Sequence, residues 1–316
     1  MSLLMTDSKV FLSIIIAAHN SEKTLSGTLK NLQDACGNNF SGIEVILIDD
    51  SSNDSTGEII RKFSADHTQV QFFKVNFQNI GQVRQFGIEN SRGDYITMLD
   101  SDDLMKHGSL PILVDFLKEK RPDMLLTKLI EVRELSNIDY KWQNQEPKKL
   151  SRDEAIMRFL IHKDIQAHLI GQFIKREYYL ENIIPSMTCY EDFFVFPNIL
   201  SSSQKIYFLR KGHYFYIKRS GSLSNSPDRQ KLTNLIICTE KMTELLEKKF
   251  FPLILCHWLD VYLKHTKLLQ KSDEMDIVRK YIRETWTFRF LSSPNVRLSY
   301  KRKSINLLYR NIKKSL

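Results

Sequence analysis

Apolar residues gather in the first half of the chain as short runs, each followed by a segment where they recur every three or four positions. "FLSIIIAA" (Phe11 to Ala18) gives way to Leu25, Leu29 and Leu32, spaced for one face of a helix. "VILI" (Val45 to Ile48) is followed by Ser55-x-x-Glu58, the pattern of a capping box, and then by Ile59, Ile60 and Phe63. "VQFFKV" (Val70 to Val75) precedes a helical stretch over about Gln82 to Asn90, and "YITML" (Tyr95 to Leu99) precedes Leu110, Leu113, Val114 and Leu117. Strands alternating with helices predict a mainly parallel sheet covered on both faces.

Further along, "DMLLTKLIEV" (Asp123 to Val132) predicts one more strand, and Ser151-x-x-Glu154 opens a helix carrying Ile156, Phe159 and Leu160. "KIYFL" and "YFYI" predict two further strands. From about Asp228 the pattern changes to amphipathic helices with few turn residues. The expected organisation is an α/β domain over 9–227, in parts 9–122 and 123–227, then a helical region over 228–316 with a basic tail.

Composition narrows the class. With 316 residues, 42% hydrophobic and 26% charged, the chain can bury a core, which excludes wholesale disorder. No apolar run approaches the roughly 20 residues that cross a bilayer. The N-terminus lacks the pattern of an export signal, so a cytoplasmic protein is expected. Cys36, Cys189, Cys238 and Cys256 fit neither a zinc site nor a disulfide framework and read as reduced thiols. The net charge of +9 is concentrated at the end, where Arg297 to Leu316 hold seven Lys or Arg and no acidic residue. That tail reads as a solvated basic helix or as attachment to an anionic membrane surface. Nucleic acid is not expected, since no recognised motif for it accompanies the charge.

The polar residues at the strand ends carry the chemistry. In an open parallel sheet, ligands bind beyond the carboxyl ends of the strands. Here those ends are "AAHN" (Ala17 to Asn20), Asp49 with Asp50, and "DSDD" (Asp100 to Asp103). Turn formation and helix capping explain one Asp-Asp pair equally well, but two clusters ending two buried strands favour a site. An acidic crevice repels phosphate unless a divalent cation intervenes, and Mg²⁺ or Mn²⁺ with oxygen ligands does this. Neither a G-x-x-x-x-G-K-[ST] loop nor a G-x-G-x-x-G fingerprint is present.

"SIIIAAHNSEKTL", "VILIDDSSNDST", "NIGQVRQFGIENSRGDYITMLDSDD" and "CYEDFFVF", in that order, resemble family 2 glycosyltransferases of the GT-A fold over roughly the first 220 residues. The resemblance implies a Rossmann-like, mainly parallel sheet flanked by helices, and inverting transfer of a sugar from a nucleotide donor, expected to be a UDP-sugar. The acceptor would be a glycan or lipid-linked molecule in bacterial surface polysaccharide or lipooligosaccharide synthesis. It assigns Asp50 to the base, Ala17 and His19 to base and ribose, and Arg84 to the neighbourhood of the nucleotide, although Val83 and Gln85 depart from the family pattern. Asn20, Asp49, Asp100 and Ser101 at the same strand ends complete the expected donor-binding set. Asp102 is placed near the ribose and Asp103 at the metal, either of them a candidate ligand for Mn²⁺ or Mg²⁺. Asp192 is the implied catalytic base with Glu191 beside it, and Arg219 belongs to a loop folding over the diphosphate. The alternatives are a metal-dependent sugar nucleotidyltransferase and a non-catalytic glycan- or membrane-binding protein on the same fold.

Overall fold

The computed structural model describes residues 9–37, 40–143, 145–218, 228–269 and 273–314. They group into two compact units, one drawn from Met1–Arg152 and Ala167–Ser224, the other from Asp153–Gln166 and Asn225–Leu316.

The first unit is built on an eight-stranded sheet. Strands β1 (Leu12–Ala18), β2 (Ile43–Asp50), β3 (Val70–Val75) and β4 (Tyr95–Met98) run parallel in the order β3-β2-β1-β4. The sheet continues through β9 (Phe173–Lys175), β6 (Met124–Thr127), β10 (Ile206–Leu209) and β8 (Lys148–Leu150). Of these, β9 is antiparallel to both β4 and β6, and β8 is antiparallel to β10. Every residue of β2 is buried, the apolar run Val45 to Ile48 because helices cover both faces. Helix α1 (Leu25–Ala35) buries Leu25, Leu29 and Leu32, and α4 (Ser109–Lys120) buries Leu110, Leu113, Val114 and Leu117. Both faces follow the apolar spacing.

Alternation along β2 sends Asp49 and Asp50 to opposite faces. The Asp49 face meets α2 (Thr56–Asp66), where a Cβ on Gly57 would stand 3.0 Å from Asp49 Oδ2. The other face carries α3 (Ile80–Glu89), whose Gly87 lets the backbone approach so closely that an added Cβ would lie 2.6 Å from Ile15. Register puts Ala17 beside Ile48, so Ala17 and Asp50 share the α3 face.

Two expectations need revision. "DMLLTKLIEV" is two strands rather than one: β6 stays in the main sheet, while β7 (Ile130–Val132) joins a small sheet with β11 (Tyr214–Ile217) and β5 (Leu104–Met105). Val132, Phe215 and Ile217 form a core of their own there, which draws β7 away. The capping box at α2 does not form. Ser55 makes no capping bond; Asp54 Oδ1 instead accepts from the backbone N–H of Thr56 at 3.0 Å.

The second unit is helical: α5 (Arg152–Leu160), α8 (Arg229–Leu245), α9 (Phe251–Lys264), α10 (Thr266–Leu269), α11 (Glu274–Thr285), α12 (Phe288–Ser292) and α13 (Leu298–Lys314). The stretch Asp153–Gln166 groups here, whereas the sequence boundary at 228 assigned it to the α/β domain. Trp258 is fully buried, stacks on Tyr281 at 4.9 Å between centroids, and donates its indole N–H to Thr243 Oγ1 at 2.9 Å. Burial pushes the neighbouring His257 down to about 4, so its ring is neutral and sits 3.0 Å from the carbonyl of Leu160. Trp258 is core, and His257 is half-buried beside it.

Candidate active site

All described residues expected to form the site belong to the first unit. The ends of β1, β2 and β4 are stitched together by their own turn residues. Asn20 takes a left-handed backbone, donates its N–H to Ser52 Oγ and accepts from the Asn53 N–H through Oδ1. That fixes its amide, whose Nδ2 then donates to His19 Nε2 at 2.9 Å. His19 must therefore carry its proton on Nδ1, which meets the Asp50 carbonyl at 2.5 Å. Ser21 donates its N–H to Thr56 Oγ1, and its hydroxyl pairs with that of Ser101 at 2.8 Å. The hydroxyls of Thr24 and Thr28 both donate to the Ser101 carbonyl. Three loops far apart in sequence thus become one rigid floor.

Asp49 and Asp50 do different work on this floor. Asp49 is buried and accepts the Ser52 N–H, holding the turn after β2. Asp50 accepts three backbone N–H groups of the loop before α3, from Phe77 at 2.7 Å, Gln78 at 3.0 Å and Asn79 at 3.3 Å. An ionised carboxylate offers about four acceptor positions. One is left for a ligand donor.

Across the cleft, α7 (Glu191–Ser202) starts at Tyr190, whose left-handed backbone turns the chain sharply. Arg84 reaches from α3 between two carboxylates, donating to Glu191 Oε1 at 2.5 Å and to Asp100 Oδ1 at 3.0 Å. Burial works against its charge, but Asp100, Glu191 and Asp192 outweigh that and hold the guanidinium firmly protonated. Burial raises the Glu191 carboxyl above the ordinary range, opposed by Arg84. Asp192 is more open. Its Oδ1 accepts its own helix N–H from Phe193, and its Oδ2 lies 3.6 Å from His168 Nδ1.

Asp103 does not fit the metal role expected of it. It is 1% exposed, and both oxygens are committed, one to the Tyr214 hydroxyl at 2.7 Å and one to the Ile217 N–H at 2.8 Å. Burial, with Asp100 nearby, pushes its pKa up to about 8. Tyr214 also accepts the Asp100 N–H at 3.0 Å, so Asp103 acts as the anchor that ties the β4 end to β11. Among the described residues no three His, Cys, Asp or Glu side chains are grouped to cage a metal. A Mg²⁺-type ion shared with phosphates needs only one or two carboxylates, and the half-exposed Asp102 has that chemistry.

The structure therefore brings together Ala17, His19, Asn20, Asp49, Asp50, Arg84, Asp100, Ser101, Asp102, Glu191 and Asp192 on the carboxyl side of one sheet. Arg219 lies outside the described residues. Sequence reading missed Tyr214 and His168. Tyr214 reaches Asp103 across 111 positions, and no local pattern marks such a contact.

An open sheet in the order β3-β2-β1-β4, with acidic turns gathered at its carboxyl ends and a helix start braced against them, is the GT-A fold. Staphylococcus aureus TarS 1-349, solved in complex with UDP-GlcNAc, superposes with a TM-score of 0.68 over 94% of this chain and 88% of that one, at 18% identity. The model of glycosyl transferase family 2 matches residues 13–221. The chain belongs to that family and is a glycosyltransferase. GlyG, a glycosyltransferase of Streptococcus pneumoniae, is 24% identical over 222 residues, covering 67% of this chain and 72% of its own. A cholesterol galactosyltransferase of Borreliella burgdorferi is 26% identical over 228 residues, 69% of this chain and 63% of that protein, so under two thirds of its length is spanned.

Proposed function

We propose that this chain transfers a sugar from a UDP-sugar to a hydroxyl of a glycan or lipid-linked acceptor in surface-glycan synthesis, with inversion at the anomeric carbon. The observation that carries the reading is the Arg84 bridge. It ties Glu191, the neighbour of Asp192, to Asp100 at the end of β4. Base and donor ends of the cleft are thereby held in one frame, and fixed geometry of this kind is a large part of catalysis.

In this reading the uracil donates to the remaining acceptor position of Asp50, beside Ala17 and His19. Asp102 would hold a Mn²⁺ or Mg²⁺ ion, which when bound supplies positive charge to the leaving diphosphate. The acceptor oxygen bonds to the anomeric carbon as the bond to the diphosphate oxygen breaks, and Asp192 takes the acceptor proton. The bound UDP-GlcNAc of TarS supports a nucleotide-sugar donor for this fold.

The basic tail supports work at an anionic bilayer. On α13, Leu298 and Ile305 are 70% and 51% exposed, with Arg302 between them on the same outward stripe. Among the described residues no helix is long and apolar enough to cross a membrane. Removal of residues after Val296 is expected to lower binding to anionic vesicles.

Calorimetry tests the central reading. UDP should bind wild type, and Asp192→Asn should keep that binding while losing transfer. Equal transfer by the variant removes Asp192 as base, and preference for a nucleoside triphosphate over UDP points to nucleotidyl transfer instead.

A further inference from the structure

Beside the strand-end floor, an open groove of about 390 Å³ runs along α1. Lys23 lines it from the turn before that helix and Gly27 and Lys30 from the helix itself, with Asp34 a turn further on. His107 and Tyr140 form the facing wall, and Asp102 borders the end nearest the floor.

Gly27 is the telling residue. A glycine inside a helix is destabilising relative to alanine. Elsewhere in this chain the reason is visible, as in the close packing of Gly87 or the left-handed backbone of Gly108. Gly27 lies within α1, and nothing stands within 4 Å of the place its Cβ would take. Its bare backbone leaves space in the groove that no protein atom uses.

The walls around that space suit a particular chemistry. The Tyr140 ring stacks on His107, centroids 4.6 Å apart at 24°, and Phe215 braces it edge-on at 5.7 Å. An aromatic surface with a few placed polar groups is the make-up of small-molecule sites, and the volume falls within their range of roughly 300–1,000 Å³. Lys23 and Lys30 are donors. Asp34 is an acceptor, with its Oδ2 3.7 Å from His107 Nε2. Hydroxyl groups both donate and accept, so a polyol satisfies both kinds of partner. An uncharged polyol suits Lys23 and Lys30 as well as Asp34 and Asp102, whereas a phosphate suits only the lysines.

We propose that this groove is a second glycan subsite, holding a neutral sugar unit of the acceptor with its apolar face against the aromatic wall formed by His107 and Tyr140. The word acceptor rests on the transfer reading above; sugar binding in the groove does not. Saturation-transfer NMR with the methyl β-glycosides of glucose, galactose and N-acetylglucosamine tests it, on wild type, Gly27→Ala and Gly27→Leu without donor present. Wild type and Gly27→Ala should bind at least one glycoside, and Gly27→Leu should lose about tenfold or more in affinity as its side chain fills the groove. Both variants should melt no lower than wild type, since a better helix former replaces glycine at an uncrowded position. Undiminished glycoside binding by Gly27→Leu, binding of none by wild type, or displacement of the glycoside by inorganic phosphate overturns the proposal. UDP affinity should be the same in all three proteins; its absence from wild type would sink the donor reading and leave the glycoside result standing.

Discussion

The β2 and β4 ends begin alike, as apolar strands running into clustered carboxylates, yet the protein spends those carboxylates differently. At β2, Asp49 and Asp50 bind backbone amides of nearby loops and so shape a slot. At β4, Asp100 and Asp103 bind side chains instead, Arg84 of α3 and Tyr214, 111 positions from Asp103, and through them fasten the sheet to α7 and β11. Acidic clusters of the same appearance thus build a local turn in one place and a long-range brace in the other. Under the proposed transfer reading, the β2 end should govern donor affinity, and the β4 end the alignment of the reacting groups.

The largest effect belongs at the far end of the brace. Asp192→Asn is expected to lower the transfer rate by about 10²–10⁴, the usual contribution of a positioned general base, with UDP affinity unchanged. Rates from single-turnover assays beside calorimetric affinities check the split; a matching loss of UDP affinity would mean that the two ends are not separable.

Next comes the brace itself. Arg84→Met leaves Glu191 and Asp100 without their shared cation, and breaking a buried pair in this way costs about 3–5 kcal/mol. Urea unfolding measures it. Arg84→Lys keeps the charge but not the two-pronged donor, so it should recover part of the stability and little of the rate. Full recovery of rate would show that charge alone, without geometry, is what Arg84 supplies.

Asp103 gives the comparison a pH signature. Its pKa is raised in the folded state, to about 8, above the ordinary carboxylate value of the unfolded chain. The folded state therefore holds the proton more tightly, and stability falls as pH rises between about 4 and 8. Asp103→Asn cannot lose that proton. Unfolding free energies at pH 5 and pH 8 should differ less for the variant than for wild type; equal differences would mean that Asp103 is ionised throughout.

A smaller change is expected at the slot. Asp50→Asn keeps an oxygen for the Phe77 and Gln78 amides but loses the acceptor facing Asn79. A hydrogen bond to a charged acceptor is worth about 1.5–3 kcal/mol. UDP binding should weaken by a comparable amount while the transfer rate at saturating donor stays near wild type. A fall in rate with unchanged affinity would reverse the roles given to the two ends.

How much of this was legible follows from the range of each signal. Burial of Leu25, Leu29 and Leu32, or of Leu110, Leu113 and Val114, rests on spacing within a single helix, and the sequence carries it openly. The placing of Asp50 and Asp100 at the carboxyl ends of one sheet followed from the rule for parallel sheets. What stayed hidden depends on pairs distant in the chain. Asp102 and Asp103 are neighbours of the same chemistry, and the partners that hold Asp103, Tyr214 and Ile217, lie more than a hundred positions away. The split of β6 from β7 is of the same kind, since β11 draws β7 into the second sheet.

The least effect, and the finest test of how local signals are read, lies in the turn after β2. Ser55-x-x-Glu58 has the lettering of a capping box, yet Ser55 N–H donates to Glu22 Oε2 from the β1 loop, and Asp54, one residue before Ser55, accepts the first helical N–H from Thr56. Asp54 Oδ1 also accepts the Thr56 hydroxyl, and its Oδ2 accepts the Glu22 N–H, so one side chain serves both loops. Burial raises the Asp54 carboxyl, but its hydrogen bonds from Thr56 and Glu22 together outweigh that and hold it below the usual range. Its stabilising contribution is therefore present above the unfolded carboxylate pKa and lost as pH falls through the lower folded value. Asp54→Ala should lower the melting temperature at pH 7 and less so in acid, whereas Ser55→Ala should leave it nearly unchanged. If Ser55→Ala is the more harmful of the two, the serine caps α2 in solution and the β1 and β2 loops are joined more loosely than the hydrogen bonds of Asp54 and Glu22 require.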